Sequence, residues 1–151
     1  MTETADKVII FVAESELEVP RGKHSMDHLH SLLVVEEEKV LVLQERDREV
    51  FLDEIEFIEI EGGERFEKRH RRDHPILAKV NKTEIEFHHA KVTGLQIKEQ
   101  AIKKLPSIKL DFPLFHNVPH GKKVPVGDGQ HVRLHRKHPS SFTCVAPDDN
   151  S

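Results

Sequence analysis

The chain has 151 residues, with 23 Lys and Arg against 27 Asp and Glu, a formal net charge of −4 and a hydrophobic fraction of 36%. That length fits one domain or two small ones, and the Ile, Leu, Val and Phe content supports a core, which excludes wholesale disorder. No apolar run approaches the roughly 20 residues that span a bilayer, Met1-Thr2-Glu3-Thr4-Ala5-Asp6 lacks a signal peptide's apolar centre, and the lone Cys144 permits neither an intrachain disulfide nor a Cys-based zinc site, so a soluble, cytoplasmic protein is expected.

Lys7 to Val12 is a short β-prone run, Ala13-Glu14 a turn, and Ser15 to Val19 the partner strand of a hairpin. Pro20-Arg21-Gly22 ends it. Ser25 caps a helix with Met26, Leu29, Leu32 and Leu33 on its apolar side, closed by Glu36-Glu37-Glu38. Lys39 to Gln44, carrying Val40-Leu41-Val42-Leu43, reads as a buried central strand. Glu45 to Arg48 turns the chain and Val50-Phe51-Leu52 crosses. Glu56 to Ile60 is a strand that Gly62-Gly63 turns into a last one, Glu64 to Glu67.

The order then recurs. Ile76 to Val80 and Thr83 to Phe87 form a hairpin about Asn81-Lys82, with Ile85 and Phe87 on one face. Thr93 and Gln96 have the spacing of a capping box. Behind them Ile97, Ala101 and Leu105 fall four apart, flanked by Leu95 and Ile102, with Lys98 the one intruder on the apolar side. Ser107 to Phe115 alternates Ile108, Leu110 and Phe112, as a strand does. Val124-Pro125-Val126 takes the place of Val50-Phe51-Leu52. Val132 and Leu134 answer Ile58 and Ile60, and Ser141 to Val145 closes the unit with Phe142 answering Phe66. An internal repeat of about 65–70 residues is large enough to hold a minimal core of its own.

A hairpin, a helix laid across one face and a returning strand make the β-grasp arrangement, in which the helix buries the apolar face of the sheet. The expected fold is therefore α+β: two tandem β-grasp domains, each a mixed sheet with one helix across it, over 1–69 and 70–146, with a tail at 147–151. Lys68-Arg69-His70-Arg71-Arg72-Asp73-His74-Pro75 reads as a short, semi-rigid joint, lacking glycine and ending in proline.

Glu86-Phe87, Lys91-Val92-Thr93-Gly94-Leu95-Gln96-Ile97-Lys98-Glu99-Gln100-Ala101, Val124-Pro125-Val126-Gly127-Asp128 and Ser141-Phe142-Thr143-Cys144-Val145-Ala146-Pro147 together resemble the bacterial multi-ubiquitin family. Its members are tandem ubiquitin-like β-grasp domains encoded beside activating-, conjugating- and deconjugating-type enzymes. The match is best over residues 76–147; the first half follows the same element order with weaker motifs. The resemblance implies a ubiquitin-like modifier joined to a target protein by such partner enzymes, with no catalysis of its own and no cofactor.

Such a role rests on the C-terminus. Eukaryotic ubiquitin-like modifiers end in Gly-Gly, whereas this chain ends Ala146-Pro147-Asp148-Asp149-Asn150-Ser151. Gly62-Gly63 is internal and reads as a turn. The expected conjugation tail is Asp148, Asp149 and Asn150, with Ser151 removed by a processing peptidase so that the Asn150 carboxylate reacts. A frayed, solvated end is the competing reading.

Other constellations carry less. His131, His135 and His138 share the second half with His88, His89, His116 and His120, but Val132 and Leu134 alternate with them, so they read as the exposed face of a strand rather than metal ligands. Cys144 with scattered histidines is a poor nucleophilic site. Gly121, Gly127 and Gly129 are turn glycines, not a phosphate loop.

Charge is split. Before Lys68 there are 19 acidic against 7 basic side chains, and from Lys68 onward 8 against 16. Lys68, Arg69, Arg71, Arg72, Arg133, Arg136 and Lys137 would suit phosphates, but without Trp or Tyr there is no aromatic platform beyond core phenylalanines. A head-to-tail contact between the acidic half of one copy and the basic half of the next fits the split better. The alternative to a modifier is thus a non-conjugated adaptor or filament-forming module, with nucleic-acid binding third.

Overall fold

The computed structural model describes residues 6–147. The chain divides into two compact units, Met1–His74 and Pro75–Ser151. The first contains β1 (Lys7–Val12), β2 (Ser15–Pro20), β3 (Gly22–Ser25), α1 (Met26–Leu33), β4 (Lys39–Gln44), β5 (Glu49–Phe51), β6 (Phe57–Ile60) and β7 (Arg65–His70). The second contains β8 (Ile76–Val80), β9 (Thr83–Phe87), β10 (Lys91–Thr93), α2 (Gly94–Ile102), β11 (Leu114–Asn117), β12 (Lys123–Val126), β13 (His131–Arg133) and β14 (Ser141–Cys144). The protein is α+β, with a five-stranded mixed sheet and one α-helix in each unit.

The two sheets have the same order. The first is β2-β1-β7-β4-β5 and the second β9-β8-β14-β11-β12. In each the last strand of the unit sits in the middle, parallel to the first (β1 with β7, β8 with β14), while the remaining pairs are antiparallel. Each unit adds a two-stranded ladder, β3 with β6 and β10 with β13.

The helices begin as their caps require. Ser25 accepts from the His28 N–H at 3.1 Å, and Thr93 accepts from the Gln96 N–H while Gln96 Oε1 accepts from the Thr93 N–H at 2.8 Å, closing the capping box. Met26, Leu29 and Leu33 of α1 pack with Ile10, Leu41, Ile60 and Phe66. Ile97 and Ala101 of α2 pack with Ile76, Ile85, Leu114 and Phe142. Leu32 is exposed rather than apolar-side: α1 ends one residue later, at Leu33, with Val34 capping it in the left-handed region, and the buried stripe is Met26, Leu29 and Leu33.

Several expectations are corrected. Gly62-Gly63 does not fold β6 back onto β7. Instead β6 pairs with β3, and β7 inserts between β1 and β4. The ladders β3–β6 and β10–β13 were not foreseen, since Gly22–Ser25 and Lys91–Thr93 are too short to show a period. Ser107 to Phe115 is not a strand up to Leu114; its alternation belongs to a loop in which Ile108 is buried and Leu110 exposed. The stretch from Lys68 is not a joint. Its first residues complete β7, with Lys39 opposite His70, and Arg71–Asp73 forms a 3₁₀ turn still inside the first unit.

That last correction alters the charge split. With the boundary after His74, the first unit holds 20 acidic and 11 basic side chains, net −9, and the second 7 and 12, net +5. Among the described residues, no helix is long and apolar enough to cross a membrane.

Candidate functional site

The C-terminal end of the second unit is built around β14. Phe142 and Cys144 point into the core at 0% and 1% exposure. The Cys144 thiol pKa is raised by burial, which makes it a packing group rather than a nucleophile. Asn81 secures the strand's last residue from the β8–β9 turn. Its Nδ2 donates to Cys144 O at 2.7 Å, and its Oδ1 accepts from the Cys144 N–H at 2.8 Å. Asn81 adopts φ 52°, a left-handed conformation that Asn tolerates better than most residues and that a two-residue hairpin turn needs. On the opposite edge Asn117 Nδ2 donates to Ser141 Oγ at 3.1 Å and Asn117 Oδ1 accepts from Thr143 Oγ1 at 3.1 Å. Beyond Cys144, Val145, Ala146 and Pro147 are exposed. Asp148, Asp149, Asn150 and Ser151, the expected conjugation tail, lie outside the described residues.

α2 is held at both sides. The carbonyls of Gln130 and Asp128 accept from the Gly94 and Leu95 N–H groups at 3.0 and 3.1 Å, so the 127–130 loop sits on the helix start. A Cβ on Gly94 would collide with the Gly127 carbonyl, which is why glycine opens this helix. Lys98, the apparent intruder, is 4% exposed. Its ammonium donates to Leu110 O at 2.6 Å and Phe112 O at 3.1 Å and pairs with Asp128 at 2.7 Å. One cation thus ties the helix to the loop before β11 and to the loop after β12. No sequence period marks such a role; the signal was a lysine on an apolar stripe.

Beside the first turns of α2 lies an open groove of about 460 Å³. Phe87 and Val92, 4% and 5% exposed, form its apolar floor. His88, His89, Lys91 and Lys103 stand exposed around it, with Glu99 the one acidic group in the lining. In the adjoining ladder Lys91 stands directly opposite Arg133.

The remaining candidates separate. Gly62-Gly63 is a turn with φ 114° and 86°, and the Glu64 carboxylate accepts from the Glu61 and Gly62 N–H groups at 2.8 Å. His131 is on β13 and exposed, whereas His116 stacks on Phe142 with ring centroids 4.9 Å apart, and burial lowers its pKa. Among the described residues no three His, Cys, Asp or Glu side chains converge as a metal site. The basic run from Lys68 is engaged within its own unit. Lys68 Nζ donates to Val34 O at 3.1 Å, Arg71 Nε donates to Glu37 O at 2.6 Å, and Arg69 is paired with both Glu49 and Glu67. The Arg69 guanidinium, with help from Gln44, holds the Glu49 carboxyl down to about 2. One buried and one half-buried histidine were not foreseen. His24, 6% exposed, has Nε2 2.6 Å from Pro20 O. His30 has its pKa lowered by burial and by Arg71. No protein-family model matches this chain, and no curated protein matches it.

Proposed function

We propose that the protein is a ubiquitin-like modifier: two tandem β-grasp domains, the second of which presents a C-terminal tail to activating, conjugating and processing enzymes for attachment to a target protein. The observation that carries this reading is the sheet order, repeated in both units, with the final strand central and parallel to the first. A chain that leaves such a sheet from its middle strand can project a tail without opening an edge. Three further features support it. Asn81 fastens β14 at Cys144, the next three residues are exposed, and the helix-start motif and the Phe142 to Pro147 ending resemble the bacterial multi-ubiquitin family.

The test is co-expression with activating-, conjugating- and processing-type enzymes, followed by intact-mass measurement. A covalent adduct is expected with the full chain and none after deletion of Asp148 to Ser151, while the truncated protein keeps its circular dichroism spectrum. An adduct that survives the deletion would overturn the reading.

One observation favours a second reading. Net charges of −9 and +5 on the two units suit head-to-tail contact between copies of a non-conjugated adaptor. Light scattering across a salt series separates the two, since charge-steered assembly weakens as the Debye length shrinks. Nucleic-acid binding keeps less support, because Lys68, Arg69 and Arg71 hold the first unit together.

A further inference from the structure

The groove beside α2 combines an apolar floor with a cationic rim, and the chain carries a segment of the opposite character. Val145, Ala146 and Pro147 are small or apolar and exposed, and Asp148 and Asp149 follow directly. We propose that the groove of one copy receives the C-terminal segment of a second copy. Ala146 and Pro147 lie over Phe87 and Val92, and the Asp148 and Asp149 carboxylates meet Lys91 and Lys103. The proposal stands independently of conjugation, and it assigns the tail a second, reversible binding site.

Charge complementarity selects this occupant. Lys91 and Lys103 are exposed lysines in the groove's lining. Glu99 alone opposes that field within the lining.

Geometry selects a second copy rather than the same chain. Asn81 clamps Cys144 at the turn end of the β8–β9 hairpin, whereas Phe87 pairs with Ile76 at its far end. The length of β8 from Val80 to Ile76 is about 13 Å at the rise of a strand. Pro147, three residues beyond Cys144, reaches at most about 10 Å when fully extended. A tail therefore cannot lay its Pro147 on its own groove floor. The contact joins unlike surfaces, the tail of one copy and the groove of another. Addition of the tail as an extra strand on β9 is not needed and is opposed. Gln100 Nε2 and Lys104 Nζ already donate to the outward carbonyls of Glu86 and Glu84 at 2.9 and 3.1 Å.

The experiment uses the chain ending at Pro147, whose groove has no competing acidic tail, and a fluorescent peptide covering Val145 to Ser151. Anisotropy should show saturable binding. The double variant Lys91→Glu with Lys103→Glu should weaken it about tenfold or more, as reversal of two facing charges does. A peptide with Asp148→Asn and Asp149→Asn should weaken it similarly. Both lysines are exposed, so the variant's thermal midpoint checks that its fold is intact. No saturable binding, or equal binding to the charge-reversed variant, would overturn the proposal. So would equal affinity for an unrelated acidic peptide, since the groove would then read charge without the Ala146-Pro147 anchor. No enzyme enters the assay, so its failure leaves the adduct measurement above untouched, and the reverse holds.

Discussion

Aligned on their helix caps, Ser25 with Thr93, the two units place Met26 against Gly94, Leu29 against Ile97, His30 against Lys98 and Leu33 against Ala101. The core positions stay apolar and the sheet order is unchanged, yet the partners of the helices differ. α1 ends at Leu33 and β4 begins at Lys39, whereas α2 ends at Ile102 and β11 begins only at Leu114. The longer connection turns the carbonyls of Leu110 and Phe112 toward the helix, and Lys98 answers them. In the first unit His30 occupies that position with a buried Nε2 that has no hydrogen-bond partner. The final strands differ as well. β7 pairs with β4 over six positions, through His70, whereas β14 pairs with β11 over four and is then fastened by Asn81. The turn residue in the first unit is Ala13, also left-handed at φ 55°, with no side chain to clamp anything. The apolar pattern thus sets the topology, and each loop length decides which polar side chain must be buried.

The strongest way to break this comparison is to damage the two cores separately. Phe66→Ala and Phe142→Ala each remove an aromatic at 1% and 0% exposure, and each should cost about 3–5 kcal/mol. Hydrogen exchange should accelerate in the damaged unit and stay near wild type in the other. Equal acceleration in both would show one shared core.

Next in size is the helix position that differs most. Lys98→Met removes the ammonium from two part-buried carbonyls and should destabilise the second unit by about 2–4 kcal/mol in urea unfolding. Asp128→Asn should cost under about 1 kcal/mol, because Asp128 is 58% exposed and its charge is solvated. His30→Leu should change the first unit by no more than about 0.5 kcal/mol, since it removes a buried nitrogen that bonds nothing.

Much of this architecture was legible beforehand. Both helix starts followed from a hydroxyl cap before an apolar stripe, and the β8–β9 hairpin from Asn81-Lys82 between alternating runs. The repeat itself showed in the order of elements. What the sequence hid was non-local. Gly22–Ser25 becomes a strand only because Phe57–Ile60 lies beside it. Alternation at Ile108, Leu110 and Phe112 looked like a strand because sequence does not reveal that the carbonyls between them face a lysine. The role of Asn81 spans 63 residues of chain, and nothing local announces it. Of the candidate site, the closing strand was anticipated, though it ends at Cys144 rather than Val145, while the groove beside α2 was not, since its lining comes from β9, β10 and α2 together.

A smaller effect sharpens the contrast between the strand ends. Asn81→Ala removes both bonds to the Cys144 backbone and should cost about 1–3 kcal/mol, with protease sensitivity rising first after Cys144. The reciprocal change, Ala13→Asn, puts a tolerant residue at a left-handed turn and should gain up to about 1 kcal/mol. Limited proteolysis and urea midpoints read both.

The smallest effect is on pH. His30 and His116 have folded pKa values below the ordinary 6.5, so the unfolded chain binds more protons as pH falls through that value. Stability should therefore decline on acidification from about pH 8 through 6.5 and level off below the folded pKa values. His30→Leu should flatten the decline in the first unit only. Glu49 acts in a separate, more acidic window: its contribution is present above 4.5 and is lost as pH falls toward about 2. Urea midpoints across the pH range check the sign.

The most direct measurement is the chemistry of the tail. If activating- and conjugating-type enzymes attach the chain to a target as proposed, tandem mass spectrometry of the adduct should find one new amide or ester bond. The account predicts that the bond joins the target to the carboxylate of Asn150, with Ser151 absent. A bond mapped to any side chain of residues 6–147, or an adduct that retains Ser151 with its own carboxylate free, would contradict it.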